Sequence, residues 1–260
     1  MKQPIVFFDS GMGGTTLLRE AQTLFPHEDL FYYGDTAHVP YGSKSESQIL
    51  DLVTQATKKI QPLDPKALVL ACNTATTVAA KSLRESLSYP VIGMEPAIKP
   101  ALKKEAQSGK RVLLIATQIT CQGQKLRDQK AQHDPKGLLD ILPTPDLVDL
   151  AEVLDFSQAS LEGVLHKINA SFPLENYSGL VLGCTHFIFF KEALKKSLPQ
   201  VHIYDGNAGT LRQVQRKIQG RENPPHYQGQ TTLYFSAPLS PEKIDFFKTY
   251  LPKDFNLEED

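Results

Sequence analysis

Two stretches, "LVLACNTAT" at residues 68–76 and "LVLGCTHFI" at residues 180–188, follow one pattern. A short apolar run stops at a cysteine, and polar residues follow at once. Continuous rather than alternating apolar runs are how strands buried on both faces read. Further runs of this kind lie at 4–8, 30–33, 90–93, 111–116, 139–142, 201–204 and 231–236, with the two cysteine stretches supplying 67–71 and 179–183. Segments of helical length separate most of them, at 45–61, 75–88, 96–108, 157–171 and 187–198. Strand–helix alternation with such strands predicts an α/β fold with mainly parallel sheets.

The repeated cysteine stretch extends to a larger repeat. "IVFFDSGMGG" precedes the first and "RVLLIATQIT" the second. In each half an apolar strand ends in small polar residues, and roughly 65 residues later another ends in Cys followed by Asn or Thr. An internal duplication follows, giving two pseudo-symmetric α/β lobes. Open α/β sheets bind ligands beyond the carboxyl ends of their strands. Both cysteines sit at such ends, so the active site is expected in the cleft between the lobes, with one cysteine on each side. "PTP" at 143–145 and "ENPPHYQGQ" at 222–230 read as loops, and the acidic terminus "NLEED" as frayed.

Length and composition set the class. A chain of 260 residues suits two domains, and 41% hydrophobic with 22% charged residues is globular usage. Net charge is −1 with Lys and Arg dispersed, which argues against a nucleic-acid surface or a membrane patch. No apolar run approaches the roughly 20 residues of a membrane span, and the first residues lack a signal-peptide pattern. A cytoplasmic protein is expected. The three cysteines, Cys72, Cys121 and Cys184, are too few and too uneven for a disulfide framework. Without CxxC, HExxH or a close His/Cys cluster, no metal is expected.

The strand ends carry the candidate chemistry. Unpaired N–H groups where a helix starts favour a thiolate and welcome a carboxylate, and Asn73 and Thr74 add donors beside Cys72. Taken alone, Cys72 also reads as a small hydrophobe closing a strand. Cys184, Thr185 and His186 in the equivalent place favour the chemical reading. His186 would not face Cys184 on a continuous helix. At a strand-to-helix turn both can point the same way, and a histidine there can move a proton near neutral pH. Cys121 lacks this setting and reads as packing. His27, His38, His133, His166, His202 and His226 read as surface or structural.

"FDSGMGG" at 8–14 allows a tight turn and close backbone approach to a ligand. It is not a dinucleotide loop, because GxGxxG would need glycine where Thr16 stands, and no GxxxxGK[ST] occurs. It reads either as a ligand loop, with Asp9 handling a proton and Ser10 donating, or as a turn in which Asp9 caps the next helix. In "YYGDTAHVPYGSKS" at 32–45, Tyr41 and Gly42 either wall a pocket or form a surface turn.

"FDSGMGG", "YYGDTAHVPYG", "ACNTAT", "GMEPA" and "GCTHF", in this order and spacing, resemble the glutamate racemases of the aspartate/glutamate racemase superfamily, over about residues 5 to 218. The resemblance implies racemisation of glutamate without pyridoxal phosphate or metal, supplying D-glutamate for peptidoglycan. It implies that Cys72 and Cys184 flank the α-carbon, one thiolate removing the α-proton and the other thiol reprotonating the opposite face. Asp9 would assist Cys72, and His186 would assist Cys184. Glu152, in "DLVDLAEVL", would be the acidic residue near the second thiol. Ser10, Tyr41, Gly42, Asn73, Thr74, Thr117, Thr120 and Thr185 would contact the substrate. The implied lobes are 1–93 with 207–260, and 94–206, in a homodimer. Ile188, Gly123, Leu126 and Gly206 stand where the family more often has proline, serine, tyrosine and serine. These departures spare the catalytic set and bear on finer contacts.

The chemistry agrees with that implication. A thiol titrates near 8.5, within reach of general acid–base work at neutral pH. Donors at helix starts stabilise the carbanionic transition state through the α-carboxylate. Three alternatives stay open: a racemase for aspartate or another acidic amino acid, a binding-only paralogue, and a lyase using one cysteine.

Overall fold

The protein was analysed as a computed structural model, which describes residues 3–260 apart from 106 and 108. Among the described residues ten strands form: β1 Ile5–Asp9, β2 Leu30–Gly34, β3 Ala67–Leu70, β4 Val91–Gly93, β5 Arg111–Ala116, β6 Leu139–Pro143, β7 Tyr177–Gly183, β8 His202–Tyr204, β9 Thr231–Phe235 and β10 Asn256–Glu259. The helices are α1 Thr15–Leu24, α2 Glu46–Ile60, α3 Asn73–Ser86, α4 Ile98–Glu105, α5 Gln118–Gln122, α6 Gln124–His133, α7 Asp146–Glu152, α8 Gln158–Ser171, α9 Lys191–Ser197, α10 Asn207–Ile218 and α11 Pro241–Tyr250. The chain divides into two units, residues up to Met94 with Asn207–Asp260, and Glu95–Gly206.

The first unit holds a sheet ordered β10-β9-β2-β1-β3-β4, and the second a sheet ordered β6-β5-β7-β8. Every strand pairing in both is parallel. The inner four strands of the first sheet, β2-β1-β3-β4, repeat the order of the second. In each sheet the order reverses between the first strand of the series and the third, between β1 and β3 and between β5 and β7. That reversal is where open parallel sheets form a crevice at their carboxyl edge. Cys72 follows β3 and Cys184 follows β7, so each thiol stands at the reversal point of its own sheet.

Burial explains the uninterrupted apolar strands. Side chains alternate across the sheet plane, and both faces are covered. In the second unit, Leu113, Ile115, Leu180 and Leu182 pack with Leu147 of α7 and Leu161 of α8. The intervening Val112, Leu114 and Val181 pack with Ile98, Ala101 and Leu102 of α4. Serine caps start the helices where the sequence turns: Ser45 forms a capping box with Gln48 at α2, and Ser157 and Ser240 accept from the third residues of α8 and α11.

At the amino ends of the first sheet, Lys66 Nζ lies 2.5 Å from Glu28 Oε2, and both side chains are buried. Glu28 Oε1 also accepts from Asn223 N at 2.8 Å, and Asp29 accepts from Gln230 N at 2.9 Å. These bonds fasten the 222–230 loop.

Three expectations change. The terminus expected to fray forms β10, which pairs in parallel with β9 because the outer edge of β9 is open to it. The segment 187–198 starts as a 3-10 turn, Thr185–Phe190, before becoming α9. The segment 96–108 is helical over Ile98–Glu105, and residues 106 and 108 lie outside the described residues. Among the described residues no helix is long and apolar enough to cross a membrane.

Candidate active site

The first thiol sits where β3 becomes α3. Cys72 is in an extended conformation and is the N-cap of α3, its sulfur accepting from Ala75 N at 3.4 Å. This places one otherwise unpaired helix N–H at the sulfur. The Ser10 hydroxyl is 3.6 Å from the same atom. Ser10 arrives there because β1 runs beside β3, with Ala71 N donating to Phe8 O at 2.8 Å.

Asp9, fully buried, accepts from Gly11 N at 3.0 Å. It therefore braces its own turn. The N-cap residue of α1 is Gly14, so Asp9 does not occupy that position. A Cβ on Gly14 would meet Asp9 Cβ at 2.7 Å and Ala71 Cβ at 3.0 Å, which is why the turn needs glycine there. From β2, Tyr32 donates to Gly11 O at 2.7 Å and fixes the loop from below.

The flagged 32–45 stretch is not a plain surface turn. Tyr41 is buried, its ring centroid 6.3 Å from that of Phe8, and its hydroxyl donates to Asp35 Oδ2 at 2.6 Å. Burial foremost, then Asp35 and Cys72, hold the phenol well above its ordinary range. Gly42 is half-buried in the same 3-10 turn. Asn73 and Thr74 are buried in the first turn of α3, and Asn73 Nδ2 reaches Met94 O at 3.4 Å.

The second thiol sits where β7 ends. Close approach of β7 to β5 requires Gly183, whose Cβ would lie 2.8 Å from Ala116 Cβ and 3.1 Å from Ile115 O. Ala116 pairs in register with Gly183, so Thr117 and Cys184 leave neighbouring strands side by side. Thr117 caps α5: it accepts from Thr120 N at 3.3 Å and donates to Thr120 Oγ1 at 3.0 Å. Thr185 is buried beside them.

The 3-10 turn after Cys184 does what a continuous helix would not. Cys184 Sγ lies 3.8 Å from His186 Nδ1. The opposite ring nitrogen, Nε2, lies 2.7 Å from Glu152 Oε1. Glu152 is the last residue of α7, which follows β6 and packs on the 185–190 turn. The His186 side chain is 3% exposed and that of Glu152 14%. Burial disfavours the imidazolium, but the bonds to Cys184 and Glu152 outweigh it, and His186 is held well above the usual imidazole range. The arrangement lines up a carboxylate, an imidazole and a sulfur.

Asp9, Ser10, Tyr41, Gly42, Cys72, Asn73 and Thr74 thus gather at the carboxyl edge of the first sheet. Thr117, Thr120, Cys184, Thr185, His186 and Glu152 gather at that edge of the second unit. Cys121 is half-buried, and burial pushes its thiol up to about 12, as suits a packing residue. Two residues that the sequence reading did not single out, Tyr32 and Asp35, support this edge. Asp35 had a signal: an acid directly after an apolar strand, six residues before Tyr41.

A family model, Asp/Glu/Hydantoin racemase, matches residues 15–214. "Glutamate racemase 2" of Bacillus subtilis (strain 168) is 40% identical over 234 residues, 90% of this chain and 88% of that protein. Among solved structures, glutamate racemase from Francisella tularensis in complex with D-glutamate has a TM-score of 0.84 at 25% identity, covering 100% of this chain and 97% of that one. Escherichia coli glutamate racemase, in complex with L-glutamate and the activator UDP-MurNAc-ala, has a TM-score of 0.83 at 29% identity, covering 99% of this chain and 97% of that one. The order of the strands, the thiol at each reversal point and these likenesses agree: the chain belongs to the Asp/Glu/Hydantoin racemase family.

Proposed function

We propose that this protein is a glutamate racemase that interconverts L- and D-glutamate with Cys72 and Cys184 as its two proton-transfer groups and with neither metal nor organic cofactor. The carrying observation is the equivalent placement of the thiols, each beyond the third strand of a parallel series and each with its own partner. Relatives and solved neighbours named as glutamate racemases supply the substrate.

In this reading, one cysteine acts as thiolate and takes the α-proton. The electron pair stays on the α-carbon, delocalised into the α-carboxylate, which donors at the strand ends stabilise. The other cysteine, as thiol, gives its proton to the opposite face. Reversal exchanges the two roles. Both thiols must therefore reach one α-carbon. His186 holds or returns the proton of Cys184, with Glu152 behind it, and Asp9 and Ser10 attend Cys72. Tyr41, Gly42, Asn73, Thr74, Thr117, Thr120 and Thr185 bind or orient the substrate. The product serves peptidoglycan synthesis, and the enzyme works as a cytoplasmic homodimer without nucleic acid.

Incubation with L-glutamate in D2O, without added cofactor, tests the reaction. Loss of optical rotation with deuterium at Cα of the D-product supports it. Folded, reduced protein that exchanges no α-proton of glutamate would overturn it, and aspartate would be tried next.

A further inference from the structure

Thr76 lies buried in the first turn of α3, four residues after Cys72. Leu70, the last residue of β3, pairs in register with Gly93, the last residue of β4. Both arms of the forked Thr76 side chain meet this one rung of the sheet. Oγ1 donates to Leu70 O at 3.1 Å. Cγ2 occupies the space that a Cβ on Gly93 would need, 2.5 Å from it. Thr76 N donates to Cys72 O at 2.9 Å. Residues 70–76 are thus closed on themselves at two points, with Cys72 and Ala75 inside.

The bonds differ in what they restrain. The backbone bond to Cys72 O is the one any α-helix starting there would make, and it leaves the helix free to tilt against the strand it follows. The hydroxyl removes that freedom, because it ties α3 to the residue two places before the thiol. The methyl sets only the height of α3 over β4. Ala75 N, which donates to Cys72 Sγ at 3.4 Å, comes directly before Thr76. A hydrogen bond weakens steeply off its axis, so the tilt of α3 decides how well that N–H serves a thiolate. At the second thiol the residue four places on is Ile188, which has no hydroxyl to make such a tie, and the backbone there is a 3-10 turn.

We propose that Thr76 is a positioning residue whose hydroxyl, anchored on Leu70, aims the first N–H groups of α3 at the Cys72 sulfur. The assignment rests on the reading of Cys72 as a proton-transfer group and deepens it.

The test follows the titration of the Cys72 thiol by NMR of cysteine isotope-labelled at Cβ, with racemisation kinetics in parallel. Cys72→Ser identifies the signal by its absence, and no reagent has to reach the buried sulfur. Thr76→Val keeps the shape and loses the hydroxyl, while Leu70 O keeps its bond from Met94 N at 2.9 Å. Its titration midpoint should rise by about half a unit or more, and kcat should fall roughly 3-fold or more with KM within about twofold, the scale of weakening one hydrogen bond to a charged group. Thr76→Ser keeps the hydroxyl and loses the methyl. Its midpoint and kcat should match the wild type, although it unfolds at lower urea. Gly93→Ala drives a methyl into Thr76 Cγ2 and should raise the midpoint as Thr76→Val does. The other Thr76 atoms facing that methyl, Oγ1 and Cβ, lie at 3.2 and 3.4 Å, where a small shift relieves the contact. In Thr76→Ser/Gly93→Ala the methyl has moved from one residue to the other, and the midpoint should return to the wild-type value.

A wild-type midpoint in Thr76→Val, an equal rise in Thr76→Ser, or a rise in Gly93→Ala that Thr76→Ser does not relieve would overturn the proposal. The last comparison decides even if Thr76→Val fails to fold. If the wild type fails to racemise glutamate, the activity reading is wrong; if it racemises but the midpoints do not move, only the Thr76 assignment is wrong.

Discussion

Glu152→Gln isolates the charge behind the second thiol. The substitution keeps the shape and an acceptor oxygen at His186 Nε2 but removes the carboxylate charge that lies 2.7 Å away. A hydrogen bond to a charged group contributes about 1.5–3 kcal/mol, and a neutral one about 1 kcal/mol. The difference, about 0.5–2 kcal/mol, centres on roughly one pKa unit and about a tenfold change in rate. His186 sits above its ordinary range through its bonds to Cys184 and Glu152, against the opposing cost of burial. Losing Glu152 brings it down.

The upper limb of the pH–rate profile should therefore move to lower pH by about one unit, and kcat should fall roughly 10-fold on the plateau. The limb reports the coupled sulfur–imidazole pair rather than either group alone. The stability sign follows the same direction. A histidine whose folded pKa is raised stabilises fully below its unfolded value of about 6.5, and that contribution fades as pH climbs through the folded pKa. In Glu152→Gln the contribution should be smaller and its loss complete at lower pH, in urea titrations run at a series of pH values. Racemisation profiles of the two proteins that superimpose, in height and in upper limb, would refute the relay.

Other changes probe other parts of the machine. Cys72→Ala and Cys184→Ala should each lower racemisation by about 10^2- to 10^4-fold, the worth of a general acid or base, with unchanged circular dichroism; retained turnover in either would contradict a two-thiol mechanism. Gly183→Ala forces a methyl to 2.8 Å from Ala116 Cβ and should cost about 1–3 kcal/mol in urea unfolding, with a loss of kcat as Cys184 shifts. Lys66→Ala leaves Glu28 buried without its ion partner and should destabilise by about 3–5 kcal/mol, while the KM of the folded fraction stays the same because the pair lies at the amino ends of the strands.

The fold was largely legible because parallel strands buried on both faces leave an unmistakable trace. Stretches such as "VLLIA" and "LVLG" are apolar throughout, and the structure puts them in the middle of the second sheet. β10 was not legible. "NLEE" has one apolar residue and three polar ones, and its strand state comes from pairing with β9, a contact no local pattern encodes. Cys72 and Cys184 stood out by position at strand ends, and His186 by its place two residues after Cys184. Glu152 came from family resemblance alone. It lies 34 residues from His186, on a short amphipathic helix where an acid is ordinary. Asp35 escaped because its role lies in side-chain bonds to Ser236, 201 residues away, and to Tyr41.

The two thiols are held by unlike means, Cys72 by a backbone N–H and a serine hydroxyl, Cys184 by an imidazolium backed by a carboxylate. Enantiomers have identical free energies in water, so the equilibrium constant of the reaction is fixed at unity whatever the catalyst. By the Haldane relation, kcat/KM must then be the same for L- and D-glutamate. The inequality of the two supports cannot bias the direction of flux. It can appear only as a compensated split, one enantiomer bound more tightly and turned over more slowly by the same factor. Resting enzyme should also favour one protonation state of the thiol pair, so that each turnover leaves it in the form that accepts the opposite hand.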